Sequence, residues 1–462
     1  MRPVNREVPA GENPLGYAPV MGLIVKFAIP SIISMLVMAA YNITDQIFIG
    51  NVVGMLGNAA TNVAFPVVTL TMAFAQMVGI GTAANFNLHM GAKRQEEAKK
   101  YLGTGLTLMV IFGVLILSFI LIFKRQILLV CGATEAVFPY ALRYLSITAI
   151  GLPFLLMGNA GSNLIRADGS PAYSMFCTVS GALLNVFLDW LFLFVFQWGI
   201  QGAAIATVIG QIISFILCIA YFPRFKSFRI HPNMLGIRWR YLTDIVKLGT
   251  SNFINHMIMM LVNITLNNVL TKYGAQSIYG SDIPLAVSGV VAKLNSILIA
   301  FGVGLAQGCQ PIWGFNMGAK NYNRVKEAYK KAVTTALIIG LFVFAAFQLF
   351  PTQIVKIFGS GEALYFQFAE QYMRIYMMMV CIYNIQPITV NYFTGTGNVH
   401  QGIIISLSRQ GFFLIPLLLL LPLFFGINGV LYAAPIADSL ACILCLSMVA
   451  INFKKLSTGN IP

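Results

Sequence analysis

The chain has 462 residues, of which 58% are hydrophobic and only 9% are charged, and its mean hydropathy is +0.80. A soluble protein of this length needs far more polar surface to cover itself, so the composition excludes one and indicates a membrane protein. The net charge of +15 does not indicate nucleic-acid binding, because the basic residues cluster in short stretches between apolar runs and leave no soluble basic face.

Twelve apolar segments are long enough to cross a bilayer, since a transmembrane helix needs about 20 mostly apolar residues. Prolines inside the first, second, fourth and tenth segments predict kinks at Pro30, Pro66, Pro153 and Pro387, because proline removes a helical hydrogen bond. In chain order the predicted spans are residues 22–50, 60–90, 103–123, 137–165, 173–197, 200–222, 243–272, 283–318, 332–352, 365–394, 402–425 and 427–452.

The basic residues fall almost entirely on one side of the predicted spans. With the N-terminus inside, the inside segments carry twenty Lys and Arg, whereas the outside segments carry four. Loops rich in Lys and Arg stay in the cytoplasm. We therefore expect a multi-pass protein of the plasma membrane with both termini in the cytoplasm.

The two halves of the sequence are repeats of each other. The segment MGAK occurs at 90–93 and again at 317–320, an offset of 227 residues. Because each half contains six spans, an even number, both halves enter the membrane in the same direction and form parallel repeats. The same offset relates further pairs, namely Gly132 with Gly359, Glu135 with Glu362, Gly199 with Gly426, and Gly202 with Gly429.

This organisation predicts an all-α membrane protein in which twelve helices form two six-helix lobes around a central cleft. The predicted division is a first lobe at residues 1–222, a basic cytoplasmic linker at 223–242 and a second lobe at 243–462. Two such lobes are typical of transporters that work by alternating access. A repeat could also produce no more than a large symmetric helix bundle.

Three carboxylates lie well inside the predicted spans: Asp45, Asp189 and Asp438. A charge at the centre of a bilayer costs about 3 kcal/mol on insertion scales, so such residues are usually kept for a function. Asp45 lies near the outer end of the first span. Asp189 lies about 24 Å into the fifth span at the helical rise of 1.5 Å per residue, so both belong to the outer half of the first lobe.

Polar neighbours extend this pair into a candidate cation site. Tyr41 and Asn185 each precede one of the aspartates by a helical turn and share its face. Thr207 lies at a similar depth in the sixth span. Two carboxylates, an amide and a hydroxyl could hold Na⁺, and two neighbouring carboxylates could share a proton. The alternative is that Asp45 caps a frayed helix end and Asp189 is a structural hydrogen-bonding residue.

The second lobe offers weaker candidates for contact with a substrate. Asp438 could face the cleft and attract a cationic compound, or it could pair with Lys293 in the eighth span. Lys293 could equally extend its ammonium group to the membrane surface. The methionines Met257, Met260 and Met377 could line an adaptable apolar cleft, because Met fits varied shapes.

Five stretches of the sequence resemble the multidrug and toxic compound extrusion (MATE) family. Together with the twelve spans, the two halves and the long linker, they extend the resemblance over nearly the whole chain. The branch resembled is that of the bacterial multidrug exporters of Gram-positive type. The stretches are YNITDQIFIG at 41–50, NLHMGAKRQEEA at 87–98, NLIRADGSP at 163–171, NVFLDWLF at 185–192 and GFNMGAKNYNRVKEA at 314–328.

The resemblance implies a secondary transporter that exports small organic compounds, driven by H⁺ or Na⁺ at a cation site in the first lobe. By the same match Tyr41 and Asn159 join Asp45, Asp189, Asn185 and Thr207 at that site or its relay. We expect a monomer with no cofactor and no enzymatic activity. The sequence has no phosphate-binding loop, which favours an ion gradient as the energy source. A flippase of lipid-linked precursors is the alternative, and it would need a strongly cationic cleft.

Overall fold

The computed structural model describes residues 13–280, 282–356 and 363–458. Within these ranges the chain is helical and contains no strand, which confirms the predicted all-α class. The first half consists of six long helices: α1 (Val20–Val52), α2 (Met55–Gly91), α3 (Gln95–Val130), α4 (Phe138–Ala167), α5 (Pro171–Trp190) and α6 (Gly199–Tyr221). A π-helical turn, Leu191–Val195, extends α5.

The second half repeats this order with two irregular members. Its regular helices are α7 (Trp239–Gly274), α8 (Asp282–Gly318), α9 (Tyr322–Leu349) and α12 (Ile427–Thr458), and a short helix, Pro351–Lys356, follows α9. The tenth helix, α10, consists of the segments Ala363–Tyr376, Val380–Tyr383 and Ile385–Gly395, and α11 consists of Val399–Leu407, the π-helical Ser408–Leu414 and Ile415–Phe425.

Eleven of these helices are long and apolar enough to cross a membrane without interruption in the described residues. The tenth predicted span is the exception, because it is broken at 377–379 and again at Asn384. Pro387 explains the second break. It has no N–H to donate to the carbonyl of Tyr383, four residues earlier, whereas α1, α2 and α4 continue through their prolines.

Several helices extend beyond the predicted spans. The 36 residues of α3 measure about 54 Å at 1.5 Å per residue, whereas the apolar core of a bilayer is about 30 Å thick. Residues 95–102 at the start of α3 are mostly polar, so the apolar pattern did not include them, and residues 124–130 extend the helix at its other end. The start of α3 lies at the end of the bundle that carries the α2–α3 turn, the α8–α9 turn and the connection between α6 and α7. We call this end the basic end.

The two halves meet at the basic end along a pseudo-symmetric seam. A methyl group at Gly91 would overlap the carbonyl oxygen of Phe315, and one at Gly318 would overlap that of Leu88. These two contacts are related by the offset of 227 residues. Similar close contacts between a glycine and the backbone of the opposite half recur along the helices. They join Gly81 to Ile245, Gly249 to Met77, Gly308 to Ala28 and Gly304 to Ile32. Small residues let the helix backbones approach this closely.

Hydrogen bonds reinforce the seam near the basic end. The Tyr101 hydroxyl of α3 donates to Asp244 of α7 at 2.8 Å, and the Tyr241 hydroxyl of α7 donates to Glu97 of α3 at 2.8 Å. In the described residues, every glycine that closely contacts the opposite half lies in the half of the bundle nearest the basic end. The structure is therefore closed at that end. The repeat partners Gly359 and Glu362 lie outside the described residues.

Candidate cation site in the first half

Asp45 of α1 and Asp189 in the last turn of α5 bring their carboxyl groups within hydrogen-bonding range of each other. Asp189 is fully buried. The Oδ1 atom of each residue is buried and has no hydrogen-bond partner among the described residues. A buried acceptor without a partner costs about 1–3 kcal/mol, and two carboxylates repel each other. Such an arrangement is chemistry suited to a bound cation or a shared proton.

Asn185 and Thr207 complete one side of the carboxylate pair. The Asn185 amide, oriented to satisfy both of its ends, donates to Asp189 Oδ2 at 3.2 Å and accepts from the backbone N–H of Thr207 at 3.1 Å. The Thr207 hydroxyl bonds to the carbonyl of Ala203 in its own helix at 3.0 Å. The amide thus fixes Asp189 against α6, and it lies one turn before Asp189 because both occupy the same face of α5.

Two tyrosines lie beside the carboxylates. Tyr41 is one turn before Asp45 on α1 and is close to both aspartates. Tyr144 of α4 is also close to both aspartates and to Thr207. Sequence analysis did not identify Tyr144. Its position along the span could have identified it, because Tyr144 lies about two turns into α4 from the end of the bundle that also carries Asp45.

A cavity of about 50 Å³ adjoins the cluster. Four of the predicted residues line it, namely Tyr41, Asn159, Asn185 and Thr207. A water molecule needs about 10–15 Å³ of such volume, so the cavity has room for a few. Asn159 lies farther along α4 toward the basic end, with its amide donating to the carbonyl of Leu155 at 3.0 Å. The structure thus places Tyr41, Asn185 and Thr207 beside the two aspartates, whereas Asn159 is connected to them only through the cavity.

The family model described as MatE matches this chain at residues 30–191 and 253–420. The two matched segments together cover well over half of the chain and fall one in each half. The chain belongs to the MatE family. The family assignment confirms the resemblance seen in the sequence motifs.

Curated relatives of this MatE chain include multidrug exporters of staphylococci. The multidrug export protein MepA of Staphylococcus aureus is 24% identical over 444 residues, which is 96% of each chain. The multidrug export protein MepA of Staphylococcus saprophyticus is 24% identical over 438 residues, which is 94% of each chain. The similarity therefore extends over both halves.

Solved structures share the fold. A multidrug resistance MATE family transporter in an outward-facing conformation matches with a TM-score of 0.90 at 23% identity, over 98% of this chain and 100% of that one. A transporter of the same superfamily from Pyrococcus furiosus, described as having a binding pocket of reversed polarity, matches with a TM-score of 0.89 at 23% identity, over 96% and 98%. The predicted architecture of twelve helices in two lobes is confirmed.

A row of hydrogen-bonded polar side chains continues from the cavity of the MatE chain toward the basic end. The Asn163 amide donates to Gln76 Oε1 at 3.2 Å, and the Arg166 guanidinium donates to Asn163 Oδ1 at 2.8 Å and to Ser31 Oγ at 2.9 Å. The predicted fourth span ends at residue 165 and leaves Arg166 outside it. In the structure α4 continues to Ala167, and Arg166 is only 4% exposed.

The second half holds a buried ion pair that differs from the prediction. Asp438 of α12 pairs with Arg409 in the π-helical segment of α11. The guanidinium also lies 4.1 Å from the centre of the Tyr383 ring, next to the break in α10. The suggested pairing of Asp438 with Lys293 is therefore wrong. Lys293 is exposed on α8 and pairs with no carboxylate among the described residues.

The methionines predicted to line the cleft occupy different environments. Met377 is 4% exposed and belongs to the apolar core of the second half. Met257 and Met260 are half-buried on α7. Contact of these residues, Asp438 or Lys293 with a substrate stays a prediction. Among the described residues, no group of three or more His, Cys, Asp or Glu side chains could hold a metal ion.

Proposed function

We propose that this MatE chain exports small cationic or amphipathic organic compounds by antiport with H⁺ or Na⁺, which binds at Asp45 and Asp189. The observation that carries the proposal is the pair of buried, unpartnered carboxylate oxygens at the centre of the polar cluster. Two carboxylates need one bound positive charge to remain together in a medium of low dielectric constant. Family membership and the staphylococcal multidrug exporters support export of small compounds.

Alternating access accounts for the seam at the basic end. We place that end in the cytoplasm because basic loops stay inside, so a structure closed there is open to the outside. The division into lobes at 1–222 and 243–462 gives the two units that rock against each other. The matching outward-facing MATE structure supports this assignment. We further propose that the chain works as a monomer in the plasma membrane.

Helix α1 connects the cation site to the seam. It carries Asp45 near one end, and Ala28 and Ile32 near the other, where they contact Gly308 and Gly304 of α8. A cation that draws Asp45 toward Asp189 would shift α1 and thereby change the equilibrium between the closed and the open seam. Antiport then requires only that cation and substrate disfavour each other's binding, by a coupling free energy of about 1–3 kcal/mol.

Dye efflux from everted membrane vesicles tests the proposal. Wild type should move a fluorescent cationic dye when a proton or a sodium gradient is imposed, and the effective gradient identifies the ion. Asp45→Asn and Asp189→Asn should each abolish the gradient-dependent component, because each removes one of the two charges that hold the cation.

Glu370→Gln is the matched control. Glu370 is a carboxylate in α10 that forms an exposed pair with Arg374 at 2.9 Å, so its loss should leave transport unchanged. Gradient-driven efflux that persists in both aspartate variants would rule out the cation site in the first half. The flippase alternative needs a cationic cleft, and the neutralisation of Arg409 by Asp438 does not favour it.

A further inference from the structure

A second pocket, of about 600 Å³, opens at the basic end. Its lining comes from the residues before α1, the first turns of α1, the α2–α3 turn, the α4–α5 turn and the connection after α6. None of the residues in the candidate cation site lines it. The pocket therefore requires an explanation of its own.

The pocket adjoins the seam between the two halves, although all of its lining residues lie between Asn13 and Ser227. One wall is the turn at Asn13–Leu15, which the second half holds in place: Asn316 of α8 donates to the carbonyl of Leu15 at 2.9 Å, and Arg324 of α9 donates to that of Ala18 at 2.6 Å. The opposite wall carries Lys93 and Lys226. A ligand in the pocket would therefore contact the second half only indirectly, through this turn.

Three lysines give the pocket a positive charge. Lys26, Lys93 and Lys226 all line it, all are exposed, and none forms an ion pair with another described residue. Their ammonium groups come from three separate elements, the start of α1, the α2–α3 turn and the connection after α6. Convergence of three free ammonium groups on one concave site is chemistry suited to a phosphate group.

The single carboxylate in the pocket is already occupied. Asp168 accepts hydrogen bonds from the Tyr221 hydroxyl at 2.7 Å and from the backbone N–H groups of Lys226 at 2.6 Å and Ser227 at 2.9 Å. The Ser227 hydroxyl adds a fourth bond. These bonds satisfy Asp168 and fix the backbone of Lys226 at the rim. Three lysines against one carboxylate leave the pocket with a net positive charge.

We propose that this pocket binds a phosphate-bearing anion, with an anionic phospholipid headgroup as the principal source and free phosphate as the other. The pocket lies at the end of the helices where the surface of the cytoplasmic leaflet is negatively charged. Because Asn316 and Arg324 of the second half hold the wall at Leu15 in place, a ligand that needs this wall stabilises the closed seam over the open one. This second step rests on the alternating access proposed above, whereas the binding step does not.

Binding is measured first, on the purified full-length chain in a neutral detergent without any ion gradient. Short-chain phosphatidylglycerol and inorganic phosphate are titrated separately, with phosphatidylcholine as the uncharged comparison. We expect phosphatidylglycerol to bind and each of Lys26→Gln, Lys93→Gln and Lys226→Gln to weaken it about fivefold. Lys226→Arg, which keeps the charge, should retain binding. Equal binding of free phosphate would assign the site to a soluble anion.

Lys320→Gln is the matched control. Lys320 occupies the same place in the second MGAK segment as Lys93 does in the first, is exposed, and has the same left-handed backbone, with φ of 60° against 59°. It does not line the pocket. Lys320→Gln should therefore leave binding unchanged. Equal weakening by Lys320→Gln and Lys93→Gln, or no weakening by any of the three pocket variants, would overturn the site.

The effect on the seam is measured with a distance probe across the basic end, between labels on α3 and α7. Phosphatidylglycerol should increase the population with the short distance in wild type but not in Lys93→Gln. Binding without that shift would overturn the proposal that the ligand stabilises the closed seam, but it would not overturn the binding site itself. Loss of dye efflux in the aspartate variants has no bearing on either readout, so the two proposals fail separately.

Discussion

The Tyr144 hydroxyl is the residue-scale feature that the structure adds to the cation site. It lies close to Thr207, Asp45 and Asp189. Tyr144→Phe removes that hydroxyl but keeps the ring, so we expect the protein to fold. The concentration of coupling cation needed for half-maximal efflux should rise about fivefold, which corresponds to one hydrogen bond of about 1 kcal/mol. Dye efflux at graded proton or sodium concentration measures it.

Tyr140→Phe provides the comparison for that measurement. Tyr140 lies one turn earlier on α4 and is half-buried against the core of the first half. Its loss of a hydroxyl should leave the cation dependence of efflux unchanged. The same fivefold rise in both variants would mean that the substitution acts through the packing of α4, and Tyr144 would then have no part in the site.

At this scale the sequence predicts charged residues better than their partners. Asp45, Asp189 and Asp438 were identified because a carboxylate in an apolar span is expensive and therefore rare. Arg409 was not identified as the partner of Asp438, because pairing depends on how α11 and α12 pack. Tyr144 is one of 18 tyrosines, and only the assembled bundle distinguishes it from the others.

Helix α8 is the element on which closure of the seam depends most directly. Gly318 faces the backbone of Leu88 in α2 so closely that a methyl group would overlap its carbonyl oxygen. Gly318→Ala should therefore force the helices apart at the basic end. We expect a smaller population of the closed seam, seen as a longer distance between labels on α3 and α7, and faster modification of basic-end cysteines introduced at the seam.

Gly289→Ala is the control in the same helix. A methyl group at Gly289 would meet no atom within 4 Å, and alanine favours a helix over glycine by up to about 1 kcal/mol. This variant should keep the seam closed and should be at least as stable as wild type. An unchanged distance in Gly318→Ala would show that the seam tolerates the extra group and that close backbone approach does not control closure.

The regular helices were predictable as elements, whereas their irregularities were not. Apolar length identifies all twelve spans, including the tenth, which the structure divides into three segments. The break in α10 at 377–379 and the π-helical turn of α5 have no proline beside them, whereas Pro416 follows the π-helical segment of α11. Both π-helical segments lie next to or contain buried charged residues, Asp189 and Arg409. Such turns commonly accompany functional sites in helices, so tertiary demands rather than local preference produce them.

At the scale of the whole molecule, the repeat predicts the symmetry but not the conformation. The offset of 227 residues relates Gly91 to Gly318 and Leu88 to Phe315, which are the residues that meet across the seam. Which end of the molecule is closed does not follow from the sequence. Two conformations of a transporter differ by only a few kcal/mol, a difference that residue patterns do not resolve.

The closed seam should depend on pH through Glu97. Hydrogen bonds from Lys100, first, and from Tyr241 lower the pKa of Glu97 from its ordinary value of 4.5. The Lys100 bond lies within α3 and does not depend on the seam, whereas the Tyr241 bond crosses the seam and lowers the pKa of Glu97 only when the seam is closed. The lowering due to Tyr241 therefore stabilises the closed state above the ordinary pKa, and this contribution is lost as the pH falls through the lowered value. The population of the closed seam in wild type should therefore fall as the solution is acidified below about pH 4.5.

Glu97→Gln distinguishes this titration from others. The variant cannot ionise, so its seam should be less closed than that of wild type at neutral pH and should not differ from it once Glu97 is protonated. Tyr241→Phe removes the bond across the seam, at 2.8 Å, and should behave like Glu97→Gln, because the remaining Lys100 bond lies within α3 and is the same in the open and closed states. A wild type and a Glu97→Gln variant with the same label distance at every pH would show that the link between α3 and α7 does not hold the two halves together.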